Sequence, residues 1–536
     1  MFKNEIKNMK VKLLYTPRYD MDYNTGDYLP FSTYAFIPPI GMPIVTAFLK
    51  KHGIKVEQDD LLVKTYRKNI KLLEPFQIEE KRKKFLEKGE EETLEECAEE
   101  ILKLTNVSGF DIIGLSLYEP DNPTTGIIAL VIAKILKEKY NPIIVIGGRF
   151  WGYAKEILLK SKFIDYGITH NPFTSPAELN FLKFCEAYES GKNLESVPGL
   201  EIATSKGIKT NPTNYKEEEI PQFTRPDFDG LPIELYKYKL SSEVDGKKHS
   251  GKVLILPYFF VKGCPFKCAF CCNSILPGPI FKEPEEVKSD IEYLKKRYKT
   301  NNFFFLNTEI NSNYKYTEKI VNVLKDLDIR FSDCACFVPM NKKLLKGLRE
   351  AGAVRLMFGL ESGSQRVLKY LGKNFKIPQA EKVLREAWKA GIWSELSLIC
   401  GFPYERITDI RKTIKFLEKN RKYIKSAYIN KFFLDGKIRK YPKQYGIEIL
   451  EECFKPVETL KEEWRGGFNE LKGLKWPERK KLTDKSFNLI LESMNKLGIR
   501  RGSEVQEVLF LSTLPEWLKI VRGEVSYRAY PDFSLS

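Results

Sequence analysis

From Glu285 to Glu405 the chain alternates short apolar runs with amphipathic stretches, in units of about thirty residues; such a repeat folds as a parallel sheet with helical crossovers. Glu285 to Tyr298 reads as a helix, Asn302 to Leu306 as a strand, Tyr316 to Leu327 as a second helix and Asp328 to Val338 as a further strand. The next strand ends at Gly359, Glu361 and Ser362 follow it, and a helix begins near Gln365. Those polar groups therefore fall on the C-terminal rim, where α/β sheets bind ligands.

Just upstream stands Cys264-Pro-Phe-Lys-Cys268-Ala-Phe-Cys271, with Phe270 directly before the last cysteine. Three thiolates on one tight loop can hold three irons of a [4Fe–4S] cluster and leave the fourth open to a small molecule. Zinc competes, but it usually takes four ligands, and the chain has only His52, His170 and His249 to add. A disulfide framework fits poorly: ten cysteines in 536 residues, with no apolar signal segment at Met1 to Lys12, indicate a reducing interior. Cys334 and Cys336 share one face of a strand, either as small core residues or as a hydrogen donor or ligand inside the barrel. Cys272 is crowded out as a fourth thiolate, and Cys97, Cys185, Cys400 and Cys453 have no metal spacing.

The N-terminal half is a separate α/β unit. Strands at Val11 to Tyr15, Ile54 to Glu57, Asp111 to Leu117 and Ile143 to Ile146, with helices at Ile40 to Lys51 and Thr124 to Tyr140, predict a parallel sheet covered on both faces. Lys64 to Leu104, dense in Lys and Glu, reads as a solvated helical insertion. Ser116-Leu-Tyr118 and Gly147-Gly148 put a small hydroxyl and two glycines at strand ends, where a ligand can lie directly on backbone. Residues 216–252 read as a polar linker. Beyond residue 444, helical spacing appears at Lys480 to Leu497 and Ser503 to Phe510, and Trp464, Trp476 and Trp517 read as core packing.

At 43% hydrophobic the chain can bury two or three cores, and its longest nearly apolar helix, Ile127 to Leu136, is broken by Lys134, so no segment spans a bilayer. The net charge of +17 admits several readings. No compact basic run with interleaved aromatics marks a nucleic-acid module. An acidic substrate, a lipid headgroup or an anionic membrane surface fits as well. Dispersed Lys and Glu with few His and Met also suit the surface of a thermophile protein.

The cysteine loop, Gly359-Leu-Glu361-Ser362-Gly363-Ser364 and Ser397-Leu-Ile399-Cys-Gly401, in that order, resemble the radical S-adenosylmethionine (SAM) family. Pro38-Pro39-Ile40-Gly41, Ser116 to Tyr118, Gly147-Gly148 and Val197-Pro198-Gly199-Leu200 are similar to the N-terminal part of its cobalamin-dependent members. The resemblance implies a Rossmann-like cobalamin-binding domain over 1–215, a linker over 216–252, a partial (β/α)6 barrel over 253–443 and a mainly helical cap over 444–536. It implies cluster ligation by Cys264, Cys268 and Cys271, SAM binding by Phe270, Glu309, Glu361, Ser362, Ser397 and Gly401, and cobalamin binding by Gly41, Ser116, Tyr118, Gly147 and Gly148. Three departures stand out. Leu306-Asn-Thr-Glu309 replaces Gly-Gly-Glu; Arg18, Tyr19 and Asp20 follow the first strand where a His would ligate cobalt, implying five-coordinate or water-ligated metal; and His170 lies where relatives carry Gly-Glu-Gly-Glu. The implied activity is methylation of an unactivated carbon in a small molecule or lipid, in the cytoplasm or peripherally on a membrane, fed by ferredoxin or flavodoxin. Ring formation, oxidation or radical coupling is the rival outcome, and a non-catalytic metal- or nucleic-acid-binding protein the rival of another class.

Overall fold

The computed structural model describes residues 9–20, 33–118, 123–149, 153–450 and 466–531; Cys453 and Trp464 lie outside them. These residues form two compact units that divide after Tyr236.

The first unit runs β1 (Lys10–Tyr15), α1 (Gly41–Lys51), β2 (Lys55–Asp60), α2 (Leu61–Asn69), α3 (Glu79–Lys88), α4 (Glu92–Leu102), β3 (Ile112–Tyr118) and α5 (Pro123–Tyr140). It continues through β4 (Ile143–Arg149), α6 (Tyr153–Lys160), β5 (Tyr166–Ile168), α7 (Ala177–Glu189), β6 (Leu200–Thr204) and β7 (Gly207–Thr210). The sheet order is β2-β1-β3-β4-β5-β6-β7, parallel through β5 and antiparallel at the β6–β7 edge. Val11, Leu14, Ile112, Ile113 and Ile144 are fully buried, which explains strands written as continuous apolar runs. The order reverses between β1 and β3, and in doubly wound sheets that point opens a crevice at the C-terminal strand ends.

The expected solvated insertion is more deeply packed than its charge density suggests. Leu73, Phe76, Phe85, Leu94, Ala98 and Ile101 are buried, and the guanidinium of buried Arg82 donates to the Phe76 carbonyl at 2.9 Å. Leu94, Ala98 and Ile101 recur at helical spacing on α4, an inward stripe hidden among Lys and Glu.

The second unit opens on a hairpin, β8 (Tyr238–Val244) and β9 (Lys247–Val253), where a polar linker was expected. Its two-residue turn, Asp245-Gly246, has φ of +50° and +76°, the positive values that suit tight hairpins. Next come β10 (Ile255–Tyr258), β11 (Val261–Lys262), β12 (Ile280–Phe281), α8 (Pro284–Tyr298), β13 (Asn302–Phe305), α9 (Tyr314–Leu324), β14 (Arg330–Ala335) and α10 (Lys342–Glu350). β15 (Ala353–Glu361), α11 (Gln365–Tyr370), α12 (Ile377–Ala390), β16 (Trp393–Cys400), α13 (Ile407–Asn420) and β17 (Ser426–Lys431) follow. The final stretch holds α14 (Gly436–Lys440), β18 (Ile447–Leu450), β19 (Gly467–Glu470), α15 (Trp476–Lys496), β20 (Arg500–Arg501), α16 (Val505–Leu511), α17 (Trp517–Arg522) and β21 (Tyr527–Pro531).

β10, β13, β14, β15, β16 and β17 lie side by side in chain order, all parallel, with a helix in each crossover: a six-unit (β/α) partial barrel. The last segment is not purely helical: β20 extends this sheet, β18 pairs with β19, and β21 pairs with β8. Trp517 stacks on Trp393 with centroids 6.3 Å apart and is core, whereas Trp476 packs on Phe468 and is only partly buried.

Near the N-terminal ends of these strands a buried polar network joins four elements. Arg355 pairs with Glu395 and donates to Ser332 at 2.7 Å and Ser503 at 3.0 Å, while Ser426 and Ser503 both donate to Glu395. Removing one partner strands a buried charge, so Glu395→Ala is expected to cost about 3–5 kcal/mol. The check is the urea midpoint, which should drop well below that of Glu395→Gln, a variant that keeps most of the hydrogen bonds.

Candidate active site

The cysteine loop is pinned at both ends. β11 pairs with β12 across it, and the Asn307 side-chain oxygen accepts from the backbone N–H groups of Phe260 and Val261 at 2.8 and 2.9 Å. Asn307 then donates to buried Asp333 at 2.7 Å, tying the loop to the rim of β13 and β14. From the other side the Ala269 N–H donates to the Leu371 carbonyl at 2.8 Å, while the Ile438 N–H donates to the Ala269 carbonyl at 3.0 Å. Ala269, Leu371, Phe402, Phe432 and Ile438 share the apolar cluster behind the loop.

Burial pushes the Cys264 thiol up to about 11, with Glu309 and Cys268 adding to the shift. Burial also raises Cys268, against the pull of Lys373, and a hydrogen bond with Cys272 is the largest cause raising Cys271. Among the described residues no three His, Cys, Asp or Glu side chains converge on a point where one ion could sit.

Beside it, Glu361 is held in a left-handed conformation, φ +61°, at a register shift between β15 and β16. Backbone strain of this kind persists only where surroundings over-determine it. Here they do: Glu361 accepts from Lys373 Nζ at 3.0 Å and from Ser397 Oγ at 3.3 Å. A Cβ on Gly359 would lie 2.7 Å from the Glu361 carboxylate and 3.0 Å from Lys373 Nζ, so the glycine of this segment makes room for the ion pair. Lys373 also donates to the Gly359 carbonyl at 3.0 Å and sits 5.6 Å from the Phe270 ring centroid. Burial opposes its charge, but Glu361, Cys268 and Glu309 together hold the ammonium above its usual value.

Glu309 faces the same group. Burial lifts its carboxyl to about 7, with Lys373 opposing and Glu361 reinforcing, and its Oε2 is buried without a hydrogen-bond partner. Cys334 and Cys336 both feel Glu309 electrostatically, and Cys336 also feels Cys264 and Lys373. The Cys336 thiol donates to the Val338 carbonyl at 3.2 Å. The structure thus gathers Cys264, Cys268, Phe270, Glu309, Glu361 and Ser397 around Lys373.

Ser362 is turned away from this group: its buried hydroxyl accepts from the Ser364 N–H at 3.2 Å and lies 3.4 Å from Thr413 Oγ1. Gly401, φ +94°, lies below Thr483, where a Cβ would meet side-chain atoms at 2.5 Å, and its N–H donates to Glu405 at 2.6 Å. Lys373 and Asn307 escaped the sequence reading. Neither belongs to a periodic pattern; a Leu-Gly-Lys turn after a helix was the only signal for the lysine.

In the first unit Ser116 and Gly147 are register partners towards the C-terminal ends of β3 and β4, as are Tyr118 and Arg149. A Cβ on Gly147 would meet nothing within 4 Å, so this glycine does leave open space. Gly148 has another cause: φ is +107° and a Cβ would lie 2.2 Å from the Leu117 carbonyl, so its own sheet forbids a side chain there. Arg18 stacks 4.9 Å from the Tyr118 ring centroid, pairs with Asp20 at 2.7 Å and donates to Tyr15 at 3.1 Å. Gly41 opens α1 with free space around it. His170 Nδ1 accepts from the Ala177 N–H at 3.1 Å, a role at the start of α7.

Residues 258–417 match the Radical SAM superfamily. An uncharacterized methyltransferase of Pyrococcus horikoshii is 27% identical over 300 residues, covering 54% of this chain and 61% of the relative. The bacteriochlorophyllide d C-8(2)-methyltransferase of Chlorobaculum tepidum is 28% identical over 288 residues, covering 51% of this chain and 60% of the relative. The chain therefore spans less than two thirds of the length of these relatives. The radical SAM methyltransferase TsrM of Kitasatospora setae, solved with cobalamin and a [4Fe–4S] cluster, shares the fold at a TM-score of 0.62 and 13% identity, covering 96% of this chain and 99% of TsrM.

Two outcomes follow for the site's frame. Gly148→Ala should lower the melting temperature markedly, because the side chain meets backbone, whereas Gly147→Ala should leave it nearly unchanged. Burial lifts Glu405 to about 7 from 4.5, so the folded chain keeps a proton that the unfolded one has released. Its contribution makes stability fall as pH rises from about 4.5 to about 7, and Glu405→Gln should flatten that slope in melting curves taken across the window.

Proposed function

We propose that this chain, whose radical SAM domain occupies residues 258–417, is a cobalamin-dependent methyltransferase acting on an unactivated carbon of a small molecule or lipid. The observation that carries the reading is the buried, partnerless Oε2 of Glu309 beside the cysteine loop and the Glu361–Lys373 pair. An unpaired buried carboxylate oxygen is costly, and a ligand ammonium would satisfy it.

The residues fit the implied groups in kind. Cys264, Cys268 and Cys271 supply three soft thiolates, and with adjacent Cys272 crowded out as a fourth, one iron is left for SAM. Glu309 takes the SAM ammonium. Lys373 has three donors, two of them engaged by Glu361 and the Gly359 carbonyl, and the third is offered to the SAM carboxylate. Ser397, with Glu361, presents polar atoms to ribose, and Phe270 and the backbone of Gly401 give adenine an apolar edge. Ser116 and Gly147 leave the crevice of the first unit open to a corrinoid tail. Arg18, Tyr19 and Asp20 put no imidazole there, consistent with cobalt lacking a histidine ligand. When bound, the cluster supplies an electron to SAM and the corrinoid supplies a methyl group. An external one-electron donor and a reducing, cytoplasmic setting complete the reading; every cysteine described is free, and no helix among the described residues can cross a membrane.

Anaerobically purified protein should contain close to four irons, four sulfides and one corrinoid per chain, and methyl-labelled SAM should pass label to product. Label absent from product would sink methyl transfer; a cluster without corrinoid would remove cobalamin and leave the radical chemistry. Glu309→Gln should raise the SAM dissociation constant about tenfold or more while iron content holds, since it deletes one charge-assisted hydrogen bond.

A further inference from the structure

We propose that the surface around the cysteine loop is the docking site for an acidic one-electron carrier protein. The proposal rests on the loop holding a cluster and deepens that reading by naming the face through which electrons arrive.

The sequence around the loop is one-sided in charge. Residues 253–282 hold Lys262, Lys267 and Lys282 and no Asp or Glu; residues 436–447 hold Lys437, Arg439, Lys440 and Lys443 and again no Asp or Glu. The two stretches end at Glu283, Asp435 and Glu448, and between those bounds every charged residue is basic.

They are side by side. The second stretch begins at α14, which is pressed onto the loop: a Cβ on Gly436 would sit 2.5 Å from the Cys271 carbonyl and 2.9 Å from that of Ala269. The Ile438 N–H donates to the Ala269 carbonyl at 3.0 Å, which fixes the direction of α14 relative to the loop. Lys267, Lys440 and Lys443 are exposed, and among the described residues none of them, nor Lys437, has a carboxylate partner. Lys282 is buried against Asp290 and does not contribute to this surface.

Within this collar lie the parts of the loop open to solvent. Cys272, next to Cys271, is exposed, and Ile275 and Tyr441 keep 45% and 41% of their surface. A small apolar centre beside Lys267, Lys437, Lys440 and Lys443, which have no carboxylate partner among the described residues, is the arrangement that steers and then seats an anionic protein. Such a cluster of like charges serves little purpose in stability, since like charges repel. A carrier seated here would donate one electron to a cluster held by Cys264, Cys268 and Cys271, and leave oxidised by one electron.

The test compares the wild type with Lys440→Glu/Lys443→Glu, and with Lys319→Glu/Lys342→Glu on the outer helical layer. Binding of oxidised flavodoxin, an acidic flavin carrier, is measured by calorimetry at low and high salt, and reduction of the cluster by flavodoxin hydroquinone is followed by stopped-flow and electron paramagnetic resonance. The collar variant should bind flavodoxin at least tenfold more weakly and accept its electrons correspondingly slowly, while dithionite reduces it as fast as wild type. Raising salt should weaken the wild type most. Equal loss in both variants, or no loss in the collar variant, overturns the proposal, as would binding of duplex DNA or anionic phosphatidylglycerol vesicles in place of flavodoxin. The binding measurement decides the matter even if the protein proves to lack a cluster, which would instead count against the function proposed above.

Discussion

One buried ammonium organises the candidate site. Lys373 has little access to water, and burial alone would strip its proton, yet Glu361, Cys268 and Glu309 stand close enough to keep it charged. Each of those groups comes from a different part of the barrel: a strand end, the cysteine loop and the segment after β13. Deleting the cation would leave the Glu361 carboxylate buried without its partner, a change that costs several kcal/mol when one member of a buried pair is lost. Gly359, the left-handed backbone of Glu361 and the hydrogen bond from Ser397 all make sense as means of bringing one carboxylate to that ammonium.

The loop that carries the thiols depends on a second set of ties. Asn307 and the β11–β12 ribbon hold its ends, and α14 lies against its back so closely that only glycine fits at the point of contact. Rigidity matters because thiolates must be presented to a metal in one fixed geometry, and a loop anchored only at its ends would sample many. The barrel supplies the rim, and the segment after β17 supplies the wall behind the loop.

Much of this was legible in the chain, for reasons that can be named. Strands buried on both faces are written as apolar runs, so β3 and β4 could be read directly, and three cysteines in one short loop announce metal chemistry without structural context. Linear spacing cannot report who meets whom across a sheet. Lys373 has no pattern of its own, and Asn307 looks like any polar residue after a strand; both act through partners distant in sequence. Gly148 has a structural reason that the sequence does not show: the Leu117 carbonyl of the neighbouring strand excludes a side chain there. Asp245-Gly246 was an available hairpin signal that the surrounding lysines and serines obscured.

The pairing of β21 with β8 has a consequence in time. Tyr527 lies opposite Val244, so the strand that leads into the barrel is completed by one made almost at the end of the described chain. A ribosome would release the cysteine loop long before that closing strand, and α14 and α16 would follow it at intervals. Loop closure over such a separation is entropically expensive and slow. During that interval the hairpin that leads into the barrel stands with its outer edge unpaired, so the unit that carries the three thiols is closed last at the strand made last.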